Sequence, residues 1–214
     1  MKDEEKIRKI YQKLLEKYGE PEPPSDMSGI DYLIETILSQ NTNDINRDKA
    51  FESFKEKYGD DYQAVEEADH EELTETIRIA GLGPTKAERI QKALKIVRED
   101  QGGYSIEFLN GYSVEEAKKW LTKIPGIGPK TAAVILCFHF QKPVFPVDTH
   151  VHRLSNRWGL VPEGSSRTKV HDLMEEKVPD GIKYSFHILM IDHGRAECTA
   201  RKEDCKCYIC EKFD

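Results

Sequence analysis

The chain has 214 residues, 33% of them charged and 38% hydrophobic, and no stretch approaches the roughly 20 apolar residues that a membrane-spanning helix needs. That composition suits a globular protein with a sizeable core rather than a disordered or membrane-embedded one. The charged N-terminus, MKDEEKIRKI, lacks the apolar stretch of a secretory signal, so an intracellular location, in cytoplasm or nucleoid, is expected. The formal net charge of −7 argues mildly against a nucleic-acid partner, but its distribution is uneven. Acids crowd Gly59–Glu75 and Val114–Glu116, whereas Lys and Arg recur in Thr122–Lys130, His152–Arg157 and Arg195–Lys206.

The first predicted helix carries Ile7, Ile10, Tyr11, Leu14, Leu15 and Tyr18 at the spacing that lines one helix face. Gly19 and the segment PEPP end it. Downstream, Asp69 with Glu72, Thr85 with Glu88 and Ser113 with Glu116 have capping-box spacing, and Gly59, Gly81 and Gly159 read as helix stops. Strand signal is confined to Pro143–Val147, where two prolines make a poor central strand. The expected fold is all-α. One self-similarity stands out: Ile79–Ala87 reads IAGLGPTKA and Ile124–Ala132 reads IPGIGPKTA, which predicts two sharp backbone-exposing turns between helices.

The second of these segments carries the most chemistry. A helix is predicted to end near Lys123 and another to begin near Pro129, with Gly126 and Gly128 free to take positive φ and Ile127 anchoring the turn in the core. Backbone N–H groups at the start of the second helix then favour an anion such as a DNA phosphate. The segment resembles the helix-hairpin-helix motif, which holds the DNA backbone without reading sequence. Lys130 has two readings on the hairpin alone, a phosphate contact or a nucleophile that attacks sugar C1′ to form a Schiff base. Eighteen positions later, FPVDTHVHR places Asp148 at the start of another predicted helix, where it can serve as an N-cap before Thr149–Trp158.

Cysteine use is lopsided. Cys137 lies in an apolar helical run and reads as a small buried hydrophobe. Cys198, Cys205, Cys207 and Cys210 fall within thirteen residues, which in an intracellular chain reads as metal binding before disulfides.

The pairing of Ile124–Lys130 with Val147–His150 makes the chain resemble the endonuclease III family of DNA glycosylases, in which an L-P-G-V-G-x-K hairpin is followed by a V-D-T-H segment. The resemblance implies that Lys130 is the Schiff-base lysine and Asp148 the essential carboxylate. It also implies that Gln40 or Asn41, in ILSQNTND, fills the gap left by a flipped base. Leu82 would wedge into the base stack, and Gly126, Ile127 and Gly128 would hold the backbone. The architecture it implies is two helical lobes, residues 22–140 ending in the hairpin, and residues 1–21 with 141–214.

In this family a C-terminal [4Fe–4S] cluster is held with the spacing C-x6-C-x2-C-x5-C. Cys198 and Cys205 reproduce the first gap, but the chain continues as C-x6-C-x-C-x2-C. Four thiolates still suit a cubane, with zinc as the rival. The cluster would brace a loop carrying Arg195, Arg201 and Lys202 toward phosphates. The implied activity is a bifunctional DNA glycosylase and abasic-site lyase, a monomer acting on double-stranded DNA with a damaged base, oxidised pyrimidines in the first place, or an abasic site. Alternatives are a uracil or thymine mismatch glycosylase, one for alkylated or oxidised purines, and a hairpin module that only binds DNA.

Overall fold

The computed structural model describes residues 3–22, 26–201, 205 and 207–213. It is helical, and no strand occurs among the described residues. The helices are α1 (Asp3–Tyr18), α2 (Gly29–Leu38), α3 (Asp44–Tyr58), α4 (Tyr62–Glu67), α5 (His70–Thr76) and α6 (Gly83–Gln101), then α7 (Val114–Leu121), α8 (Pro129–Phe138), α9 (Thr149–Arg157), α10 (Arg167–Lys177), α11 (Lys183–Ala196) and α12 (Cys210–Phe213). Short 3-10 turns at Arg78–Ala80, Glu107–Gly111 and Asp180–Ile182 link some of them. The chain divides into two compact units, Ser25–Ile135 and Met1–Pro24 with Leu136–Asp214.

In the unit Ser25–Ile135, α6 is the central rod, with α2, α4 and α5 against it. Its buried face runs through Ala87, Ile90, Leu94 and Val97 at the 3-4-3 spacing of a core-facing stripe, with Ala93 beside it. The helix ends are capped from the sequence. Ser28, Asn43, Asp61 and Asp69 each accept a bond from a first-turn N–H, and Ser113 with Glu116 forms a complete capping box. The expected cap at Thr85 is not made. α6 starts earlier, at Gly83, because Pro84 fits a first turn, where its missing N–H costs nothing. An ion pair is sunk in this unit: Lys55 bonds both oxygens of Asp31 at 3.0 and 3.1 Å, and Asp31 is 8% exposed.

The second unit packs α1, α9, α10 and α11 around Ile7, Ile10, Leu14, Phe145, Trp158 and Phe186. Pro143–Val147 forms no strand, as its two prolines dictate, and buries Phe145 and Val147 in this core. α9 and α11 pass so close that a Cβ on Gly194 would stand 2.8 Å from His150 Nδ1 and 3.1 Å from Arg153 Nη2. Any side chain at that crossing would have to displace the His150 ring.

Candidate active site and metal centre

The hairpin forms where the sequence places it, between α7 and α8. Gly126 has φ +87, and a Cβ there would lie 2.6 Å from Arg89 Cδ, so both backbone and space demand glycine. Ile127 is buried at 3% exposure, and its N–H bonds the Ile124 carbonyl at 3.0 Å, closing the turn. Gly128 departs from expectation. It does not take positive φ; the residue before a proline is pushed to extended backbone, and its carbonyl already accepts from Ala132 N–H at 2.9 Å. The opened turn delivers Lys130, which is exposed, to the first turn of α8, whose leading N–H groups have no carbonyl one turn back.

Lys130 does not stand alone. It lines a cavity of about 340 Å³ with Thr36, Ser39, Gln40, Asn41 and Gly126. Gln40 is committed to the scaffold, since its Nε2 donates to the Gly126 carbonyl at 2.9 Å and its Oε1 accepts from Arg89 at 2.6 Å. Asn41 is exposed and held at φ +53, a conformation Asn tolerates better than most residues. A second, more open hollow of about 590 Å³ runs between the Asn41 loop and the turn before α6, lined by Thr42, Asn43, Asn46, Ile79 and Gly81 as well as Asn41. At its edge Leu82 is 56% exposed with φ +54, an apolar side chain pushed into solvent on strained backbone. Arg89 and Lys86, which tie these loops from α6, were not singled out from the sequence. In an amphipathic helix a lone cation reads as solvated, and only its tertiary partners say otherwise.

Asp148, in the other unit, is the N-cap of α9, with Oδ1 accepting from Val151 N–H at 2.7 Å. The same helix then grips the cysteine loop. Arg153 donates to the Cys198 carbonyl at 2.9 and 3.2 Å and to the Gly194 carbonyl at 3.0 Å. Arg157 donates to the Thr199 carbonyl at 2.8 Å and reaches Cys198 Sγ at 3.4 Å. Four sulfurs, from Cys198, Cys205, Cys207 and Cys210, lie within 4.8 Å of one another, all but Cys205 buried. Such a closed set of thiolates fits a soft metal centre. His193, fully buried, places Nε2 3.3 Å from Cys207 Sγ and Nδ1 2.9 Å from the Tyr18 hydroxyl, joining the site to α1. Cys137 is apart from the set; burial pushes its thiol up to about 12. Of the basic residues expected to face phosphates, Arg195 and Arg201 are exposed, and Lys202 lies outside the described residues.

Comparison with known proteins shows the family. Residues 34–180 match the model of the HhH-GPD superfamily of base excision DNA repair proteins. The endonuclease III of Thermotoga maritima is 32% identical over 207 residues, covering 96% of this chain and 89% of that protein. The endonuclease III of Escherichia coli is 32% identical over 194 residues, covering 89% and 87%. An Arabidopsis thaliana relative is 35% identical over 179 residues, and there the chain spans 61% of the longer protein. Among solved structures, a non-covalent endonuclease III–DNA complex superposes with a TM-score of 0.81 at 27% identity, covering 99% of this chain and 95% of that one. A thermostable thymine-DNA glycosylase shares the fold, with a TM-score of 0.76 at 23% identity, covering 97% of this chain and 98% of that one. The chain belongs to the HhH-GPD superfamily of base excision DNA repair proteins and, within it, to the endonuclease III family. It is accordingly a DNA glycosylase with lyase activity, and it binds DNA.

Proposed function

We propose that Lys130 is the nucleophile of this enzyme and Asp148 its essential carboxylate. The observation that carries the reading is the position of Lys130 at the opening of α8, on a cavity shared with the Asn41 loop and Gly126. A base inside duplex DNA is unreachable, so the nucleotide leaves the stack and Asn41 and Leu82 occupy the gap. Asn41 fits the filler role better than Gln40, because both ends of the Gln40 amide are spent on Gly126 and Arg89.

The Lys130 amine attacks C1′ with its lone pair. The C1′–N bond breaks, and the base leaves with that electron pair and takes up a proton. The Asp148 carboxylate stabilises the positive charge that develops on the sugar. The amine gives up a proton, its lone pair forms the C=N bond as the C1′–O4′ bond breaks, and the ring oxygen takes a proton, opening the sugar to the protonated Schiff base. Removal of a 2′ proton then forms a C=C bond as the 3′ C–O bond breaks and phosphate departs. Water hydrolyses the imine and returns the free lysine.

The metal proposed for the four thiolates is a [4Fe–4S] cluster, which would supply no chemistry to these steps but would fix the loop that Arg153 and Arg157 hold, and with it α9. The family relationship and the shared C-x6-C gap support it. The sulfur separations favour a second reading. A single tetrahedral zinc with Zn–S bonds of about 2.3 Å sets its thiolates about 3.8 Å apart. Cys198 and Cys210 stand at 3.9 Å, within a set no wider than 4.8 Å. Metal analysis of the purified protein separates the two. About four irons per chain with broad visible absorption fits the cluster; one zinc in a colourless preparation replaces it.

The lesion class we propose is oxidised or ring-saturated pyrimidines, supported by the family relationship. Duplexes carrying one defined lesion each, assayed with and without alkali, test it. Release of thymine glycol with a nick before alkali is the expected result. Release of uracil or thymine opposite guanine, with no action on thymine glycol, would move the enzyme to mismatch repair.

A further inference from the structure

Lys86 is the fourth residue of α6, yet it is 1% exposed, and no carboxylate stands among its partners in the described residues. Its Nζ donates instead to two main-chain carbonyls, Leu38 at 2.8 Å and Ala80 at 2.7 Å. Each carbonyl ends an element: Leu38 closes α2, and Ala80 closes the 3-10 turn Arg78–Ala80. Carbonyls at helix ends lack intrahelical donors and carry partial negative charge, so one buried ammonium answers both. Three residues beyond Leu38 lies Asn41, and two beyond Ala80 lies Leu82. These two share positive φ without being glycine. Burial pushes the Lys86 amine below its usual range.

We infer that Lys86 is a positioning residue, an internal strut that sets the Asn41 and Leu82 loops at a fixed separation so that both enter DNA together. The inference rests on the insertion roles given above to Asn41 and Leu82. Arg89, one turn on, extends the same strut to the hairpin through Gln40 and Gly126. A strut of this kind explains why a cation is buried without a counter-ion. Two carbonyls position a donor in space, whereas a carboxylate would tie it to one flexible side chain.

The test uses the whole protein on a duplex holding a tetrahydrofuran abasic analogue, with 2-aminopurine opposite the gap to report unstacking by the inserted residues. Wild type is expected to raise the fluorescence. Lys86→Met is expected to lose most of the rise, about tenfold or more, because a shift of about 1 Å in placed groups can cost roughly 10²-fold. Affinity for undamaged duplex should stay within about twofold, since the hairpin holds phosphates without these loops. Lys86→Arg, which keeps the donors, should restore the signal. A cooperatively folded Lys86→Met with the full fluorescence rise overturns the inference. Should Lys86→Met fail to fold, Asn41→Ala and Leu82→Ala decide: as a coupled pair their losses in abasic-duplex affinity are non-additive, and simple additivity overturns the inference. A wild-type protein that binds the abasic duplex without any fluorescence rise removes the insertion reading itself, and the strut with it.

Discussion

Leu82 and Ile127 stand at the same place in two Gly-X-Gly-Pro segments and meet opposite environments. Leu82 is 56% exposed on left-handed backbone, and Ile127 is 3% exposed within a closed turn. The copies diverge because Leu82 is itself the N-cap of α6, whereas the N–H of Ile127 bonds back to Ile124 and folds its side chain inward. Ile127→Ala is therefore expected to cost about 2–5 kcal/mol of stability, as a buried truncation does. Leu82→Ala should change stability by no more than about 0.5 kcal/mol, as at other exposed sites. Its cost should fall on the preference for abasic over intact duplex. Denaturant unfolding and paired binding titrations separate these outcomes, and equal stability losses would contradict the contrast.

Gly126→Ala should be severe for a small change. The added methyl meets Arg89 at 2.6 Å, on backbone at φ +87. Positive φ alone costs about 1–2 kcal/mol for an L side chain. Displacing Arg89 also removes its bond to Gln40 Oε1, so DNA affinity should fall together with the melting temperature. Retention of both would show that the hairpin tolerates a different turn.

Much of this molecule is legible in its sequence. Helix-forming periodicity, the Ser113–Glu116 capping box and the Gly19 stop each concern residues a few positions apart, where local rules decide the outcome. The four cysteines are legible for the same reason. The environment of Leu82 is not, because two nearly identical strings lead to exposed and buried side chains according to how each turn closes. Lys86 and Arg89 are hidden too. Their partners lie 48 and 49 residues away, at Leu38 and Gln40, and no spacing within α6 announces them. Gly128 is free by residue type to take positive φ, but the following proline overrides that freedom.

The cysteine loop should be stabilised by its metal through α9. Arg157→Ala removes the bond to the Thr199 carbonyl and the contact with Cys198 Sγ. Metal retention during dialysis against a chelator is expected to shorten, and the melting temperature to fall, before any change in cleavage by the metal-loaded protein. Charge-assisted bonds of this kind are worth about 1.5–3 kcal/mol. Unchanged retention and melting would show that the arginine is dispensable to the site.

Acid stability should carry the mark of Glu66. Its carboxylate receives Arg98 at 2.7 and 2.9 Å and the Tyr104 hydroxyl at 2.8 Å, and the Arg98 bonds hold its pKa below the ordinary value of 4.5. A carboxylate depressed in the fold contributes stability that is fully present above its unfolded pKa and is lost as pH falls through the folded value. Glu66→Gln should therefore destabilise the protein at pH 7, and the difference from wild type should shrink as pH falls below the ordinary carboxylate range and through the depressed folded value. Equal differences at both pH values would contradict the linkage.

Borohydride trapping on abasic DNA tests the central claim most directly. Wild type should yield a covalent protein–DNA adduct, and Lys130→Ala should yield none while still binding duplex, since under the proposed reading the hairpin would hold phosphates through backbone N–H groups. Asp148→Asn keeps the cap that Val151 N–H uses, so it should fold, with turnover reduced by about 10²–10⁴. An adduct at wild-type level in Lys130→Ala would name another amine as the nucleophile and contradict the account.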